Sequence, residues 1–257
     1  MEKTDERLIE FFEEMRGRTG EFRKKSYDSV FMESFEKYKD LAEEIGTAVL
    51  AAPEEERDSL VEHFANVIPD YASRKVEAEY QGKSRNARGR AAVDYNLSIV
   101  VYVVPILNYT KNEGCEAVAK RLVELWNEKK ITDMQISHSD YESVSAGFKR
   151  KFCYITTAVC ESKEKPDDCP ELTLLRGYRD GYLSESEEGR ALVEDYYDIA
   201  PAIVMCIDMQ KNRREIYDKI YETYLLPCID DIKQNRMEAC RERYTDMVHE
   251  LSRQYLS

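Results

Sequence analysis

Apolar residues recur along this chain at the three- and four-residue intervals of amphipathic helices. Leu8, Ile9, Phe11, Phe12 and Met15 form one stripe, which Gly17 and Gly20 end. Thr4 fits as its N-cap, with Asp5 and Glu6 in the first turn. A second stripe, from Tyr27 through Val30, Phe31, Phe35, Tyr38, Leu41 and Ile45 to Val49, predicts a helix over about 26–52. Pro53 stops it and can open the next helix, whose Glu54, Glu55 and Glu56 suit the positive end of the dipole. Leu60, Val61, Phe64 and Val67 carry that third helix to Pro69, and a fourth segment follows to about Gln81.

The stretch Gly82 to Arg90 (GKSRNARGR) breaks the pattern with four positive charges, two glycines and no acid. It predicts a flexible loop, with an anion-binding loop as the sharper alternative. Ala91 to Tyr109 is the most apolar segment. Its valines suit a central strand, but its length and the lack of a partner strand favour a buried helix kinked at Pro105. The apolar run from Ile99 to Leu107 is too short to span a bilayer. Glu113 to Lys129 reads as a helix with Val118, Leu122, Leu125 and Trp126 inward. Residues 131–138 predict a short strand or an irregular segment. Further helices are expected near 139–163, 170–183, 186–198, 201–210, 212–226 and 235–256, with kinks or fresh starts at Pro201 and Pro227. The fold class is all-α, a multi-helix bundle. Its expected parts are a helical segment 1–81, a basic loop 82–90 and a helical domain 91–257.

Composition narrows the function. The 257 residues carry a formal charge of −13 with only 10 glycines and 7 prolines, which excludes collagen and low-complexity disorder. A polyanion is poorly suited to broad nucleic-acid or anionic-membrane binding, so neither partner is expected. The acidic start MEKTDERLIEFFEE lacks the basic, apolar character of a signal peptide. With seven cysteines, an odd count, the expectation is a cytosolic protein with reduced thiols. The glycosylation-like triplets at Asn96 and Asn108 are then irrelevant. Eighteen tyrosines against eight phenylalanines suggest aromatics at half-buried boundaries with wet hydroxyls. No P-loop, G-x-G-x-x-G, H-E-x-x-H, G-x-S-x-G or EF-hand loop occurs, which argues against an ordinary nucleotide or zinc-hydrolase enzyme.

One region carries an ordered set of motifs: Cys153-Tyr154-Ile155, Thr157-Ala158, Leu175-Arg176-Gly177-Tyr178-Arg179-Asp180, Gly189-Arg190, Tyr196-Tyr197 and Pro201. This resembles the bacterial CFI-box family over Cys153 to about Val204. The form with Cys160, Cys169, Cys228 and Cys240 looks like a subgroup in which the similarity extends from Ala91 to Ser257. At Cys160 and Glu161 the chain departs from the commoner Tyr-Gly. The resemblance implies a domain and supplies no reaction.

The same residues have a physical reading. In a helix over 152–163, Cys153, Thr156, Thr157 and Cys160 share one face of small side chains, as a close helix contact requires. A metal or redox site there, or a Cys153 nucleophile, is the alternative. Cys153, Cys160 and Cys169 are the candidate ligands, for zinc or iron, with Cys228 or Cys240 to complete a set. However, no Cys-x-x-Cys spacing supports it, and the default is no cofactor. His138 is the nearest base in sequence, and Lys149-Arg150-Lys151 could lower the pKa of Cys153. His63 and His249 lie in charged helical surroundings and suit surface or packing roles. Arg176, Arg179 and Asp180 share a surface facing many acids over 185–198. They suit an ion-pair network, or else an arginine pair gripping a carboxylate or phosphate. Tyr196 and Tyr197 suit interhelical packing. The leading expectation is a cytosolic, non-enzymatic helical protein acting through a protein partner or self-association. The alternative is a thiol-based metal or redox protein centred on Cys153 and Cys160.

Overall fold

The computed structural model describes residues 1–82, 85–132, 134–149, 154–166 and 168–256. Every regular element among the described residues is helical, as the apolar periodicity predicts. Two compact units divide the chain: 1–22 with 26–147, and 23–25 with 148–257.

The first unit contains α1 (Glu2–Gly17), α2 (Tyr27–Ala51), α3 (Glu54–Tyr80), α4 (Arg85–Leu97), α5 (Val104–Tyr109), α6 (Glu113–Glu128) and α7 (Tyr141–Lys149), the last crossing the division. A π-helical stretch, Ser98–Val103, joins α4 to α5 without a break. The continuous helix from Ala91 to Tyr109 is long and apolar enough to cross a membrane, longer than the run of apolar residues suggests. Yet 89% of it is buried inside the protein, the placement of a core helix.

Pro105 sits in that core helix and brings no N–H. In the π register the Ile99 carbonyl accepts from Val104 N–H, so the next carbonyl, of Val100, would look to residue 105. In the α register the Val101 carbonyl would look to residue 105 as well. Side chains from elsewhere fill both roles. The buried Tyr27 hydroxyl donates to the Val101 carbonyl at 3.0 Å, and the Ser139 hydroxyl donates to that of Val100. Tyr27 is thereby fixed amid Phe22, Phe31, Tyr102 and Tyr141, with ring centroids 5.3–6.0 Å from its own. Tyr27, Tyr95 and Tyr102 are fully buried, against the expectation of wet hydroxyls. The reason in Tyr27 is an internal carbonyl acceptor, and Tyr102 likewise reaches the Arg18 carbonyl at 3.4 Å.

The described residues of 131–138 are irregular, and asparagines stand in for a sheet partner. Asn127 both donates to the Ile136 carbonyl (2.8 Å) and accepts from its N–H (2.9 Å). Asn96 accepts from Trp126 Nε1 (2.9 Å) and the Thr132 hydroxyl (3.0 Å), while Asn108 donates to the Ser139 carbonyl and contacts His138. Asn96 and Asn108 are buried, so their triplets serve packing.

Several local expectations are corrected. Thr4 is not an N-cap: α1 starts at Glu2, and the Thr4 hydroxyl donates instead to Glu44 of α2 at 2.8 Å. Pro69 does not end the third helix. The buried stripe of Phe64, Ala65, Ile68, Ala72 and Val76 runs through it, and packing outweighs the local cost. The basic stretch 82–90 is only partly loop. Gly82 turns with φ 72°, Lys83 and Ser84 lie outside the described residues, and α4 already begins at Arg85, in line with the helix propensity of its arginines and alanine. The division between units falls at Gly147–Phe148 rather than at that loop, because the buried 91–109 helix needs α1 and α2 around it.

The crossing of α2 and α6 has no room for side chains at its centre. A Cβ on Gly114 would lie 2.4 Å from the Gly46 carbonyl oxygen, and one on Gly46 would lie 2.3 Å from Asn112 Oδ1, which caps α6 by accepting from the Gly114 and Cys115 N–H groups. Backbone cannot step aside as a flexible side chain can. Gly114→Ala should therefore cost about 1–3 kcal/mol in urea denaturation. Gly17→Ala, where a Cβ meets nothing within 4 Å, should stay within about 0.5 kcal/mol of the parent. Equal effects would contradict the close crossing.

Candidate functional site

The motif-bearing residues fall in the second unit. It contains α8 (Tyr154–Ser162), α9 (Pro170–Tyr178), α10 (Glu187–Asp208), α11 (Arg213–Ile220), α12 (Leu226–Lys233) and α13 (Met237–Tyr255). A π-helical stretch Arg179–Leu183 extends α9, and another, Tyr221–Leu225, joins α11 to α12 two residues before Pro227. The expected fresh start at Pro201 does not occur; α10 runs through it, with Ala200, Ala202 and Ile203 buried on either side. Likewise Pro227 opens α12 with no gap in the helical path.

The Gly189-Arg190 pair has a structural job. Ser186 caps α10 by accepting from Gly189 N–H at 2.9 Å, and a Cβ on Gly189 would lie 2.1 Å from the Leu183 carbonyl oxygen. Arg190 donates to the Ser184 carbonyl at 2.8 Å, closing the same turn. The turn delivers α10 against α8, where the Tyr196 hydroxyl accepts from Ile155 N–H at 2.9 Å. That N–H belongs to the first turn of α8, which has no intrahelical acceptor for it.

Around this contact the arginine and tyrosine motifs meet. Arg179 forms a two-pronged pair with Asp180 (2.6 and 2.8 Å) and donates to the Tyr197 hydroxyl at 2.7 Å. The Arg179 guanidinium holds the Asp180 carboxyl below its usual range, with a smaller pull from Arg176. Arg176 itself is half-buried on α9. The Tyr197 ring lies under the Arg179 guanidinium (5.9 Å) and the Lys24 ammonium (5.5 Å). The expected use of the acids over 185–198 is distributed: Glu188 pairs with Arg241 of α13, Glu194 with Lys25, and Asp198 accepts from the backbone N–H groups of both Lys24 and Lys25. The Arg23–Lys25 segment thus belongs to this unit, a connection no local pattern in the sequence signals.

Four of the motif residues, Leu175, Tyr178, Arg179 and Tyr196, line one recess of about 110 Å³ among α9, α10 and α13. Leu192, Val193, Ile199 and Val248 complete its apolar wall, and Arg241, Asp195 and His249 stand at it. The wall from α10 was legible as the stripe Leu192, Tyr196, Ile199 at i, i+4, i+7; that it faces α13 was not. Tyr178 also lines an open groove, together with Pro170, Leu174, Tyr182, Ile232 and Met237.

The proposed cysteine face is divided. Cys153 lies outside the described residues, as do Arg150 and Lys151. Thr156 is buried, with its hydroxyl 3.4 Å from that of Tyr244. The Thr157 hydroxyl is buried without a partner among the described residues. Cys160 turns to Cys169, with their sulfurs 3.7 Å apart beside Leu172. Burial, then Cys169, pushes the Cys160 thiol up to about 12. Cys228 and Cys240 form a separate buried pair on α12 and α13. Among the described residues, no group of three or more His, Cys, Asp or Glu side chains is arranged to hold a metal. His138 belongs to the first unit, where Asn108 contacts it. His63 pairs there with Asp5 at 3.0 Å.

No family model, curated protein or solved structure matches this chain.

The wall of the recess from α13 is anchored by Asp231 of α12. Its buried carboxylate accepts from Arg236 (2.7 Å) at the α12–α13 corner and from Arg243 (3.2 Å) of α13, and Arg236 foremost lowers its pKa. A lowered carboxylate pKa stabilises the fold above the unfolded value near 4, and that contribution is lost as pH falls through the folded value. Asp231→Asn should therefore cost about 1 kcal/mol at pH 7, a value held down by the half-exposed arginines, and less as the pH drops below about 4. A cost that is the same at pH 7 and pH 3 would contradict the ion-pair account.

Proposed function

We propose that the second unit is a non-enzymatic binding module whose recess among α9, α10 and α13 accepts one apolar side chain of a protein partner. The observation that carries this reading is the convergence of Leu175, Tyr178, Arg179 and Tyr196, drawn from separate motifs, on one recess. The recess, about 110 Å³, has room for a single aliphatic or aromatic side chain. Tyrosine and arginine at the wall are residue types enriched at protein interfaces. The groove at Tyr178 offers a second apolar contact along the same helix, which a peptide segment could follow. The reading includes the resemblance to the bacterial CFI-box family and a cytosolic setting, with no nucleic acid and no membrane as partner.

Selection of displayed random peptides against the full chain tests it. Selected peptides should share an apolar anchor residue, and Val193→Trp, which fills the recess from a half-buried position, should weaken them at least tenfold. Peptides with no common anchor, or binding indifferent to Val193→Trp, would contradict it.

A further inference from the structure

The turn between α8 and α9 brings two thiols together that lie nine positions apart in sequence. The Cys160 carbonyl, at the end of α8, accepts from the N–H groups of Lys163 (3.1 Å) and Lys165 (2.9 Å), with Glu164 between them at φ 57°. This is a helix-ending turn that reverses the chain. At the other end, Cys169 donates its N–H to the Pro166 carbonyl (3.0 Å) and accepts from Thr173 N–H (3.0 Å), as the N-cap residue of α9. The ion pair of Lys165 with Glu171 spans the turn. Both ends are thus hydrogen-bonded in place, and the Cys160 and Cys169 sulfurs lie 3.7 Å apart, packed on Leu172. A disulfide requires that gap to close to roughly 2.05 Å.

We infer that Cys160 and Cys169 form an oxidation site, a dithiol that a peroxide converts to an intramolecular disulfide and that a small thiol restores. In the first step a Cys169 thiolate attacks hydrogen peroxide, forming the S–O bond of a sulfenic acid and releasing hydroxide. In the second, the Cys160 sulfur displaces that oxygen, the S–S bond forms, and the Cys160 proton leaves in water. The two thiols lose two electrons and two protons, and peroxide becomes two waters. Burial of Cys160 keeps it protonated near neutrality, which assigns it the second step. The bond would tie the end of α8 to the start of α9, the helix that carries Leu175 and Tyr178.

The test uses the reduced, folded full chain treated with hydrogen peroxide. Titration of thiols should show two of the seven lost, and non-reducing proteolytic mapping should find a peptide pair joined through Cys160 and Cys169. Dithiothreitol should restore both thiols. Cys160→Ala should remove the cross-link and leave Cys169 as a sulfenic acid that dimedone traps. Peroxide that leaves all seven thiols intact in the folded chain, or that joins Cys228 to Cys240 while sparing Cys160 and Cys169, would overturn the inference. So would a Cys160–Cys169 bond that forms only in denaturant.

Discussion

The protein is built from helices that keep their prolines, and a proline brings no N–H for the carbonyl one turn before it. At Pro105 that carbonyl lies in a helix buried inside the protein, where water cannot serve it. Tyr27 and Ser139 supply the two hydroxyls. The identity of residue 27 then follows from the position of Pro105, and the aromatic cluster follows from residue 27. A phenylalanine would fill the same space but leave the carbonyl bare. The π-helical turns that precede both Pro105 and Pro227 are the backbone side of the same solution, since a wider turn moves the carbonyls away from the proline ring.

In the second unit the organising groups are the start of α10 and the tyrosines that follow it. Ser186, Gly189 and Arg190 fix where α10 begins; Tyr196 then meets the first turn of α8, and Tyr197 lies between two cations. These are structural uses of residues that the sequence singles out as a motif. They leave Leu175, Tyr178, Arg179 and Tyr196 turned toward one recess, which is where a binding role has its physical basis.

Much of this was legible in the sequence. The stripes of α1, α2 and α6 follow directly from their apolar spacing, and the helical choice for 91–109 rests on length. Local rules failed where tertiary contacts overrode them. Pro69 reads as a stop and Pro201 as a kink or fresh start, yet their buried stripes continue on both sides. Thr4 has the chemistry of a cap, but Glu44, forty residues away in sequence, accepts the hydrogen bond of its hydroxyl. The backbone of Arg23–Lys25 meets Asp198 through hydrogen bonds that have no sequence pattern at all. The pairing of Cys160 with Cys169, rather than with a helical neighbour one or two turns away, depends on a left-handed Glu164 that nothing in its residue type announces.

The account stands most directly on the link between Tyr27 and Pro105, and a double-mutant cycle measures it. Tyr27→Phe should cost about 1–3 kcal/mol in the parent chain, where the Val101 carbonyl loses its hydroxyl donor. In a Pro105→Ala background, residue 105 regains an N–H that the same carbonyl can accept, and Tyr27→Phe should cost at least about 1 kcal/mol less. Equal costs in the two backgrounds, read from urea denaturation, would show that Tyr27 is held by packing alone and would contradict the account.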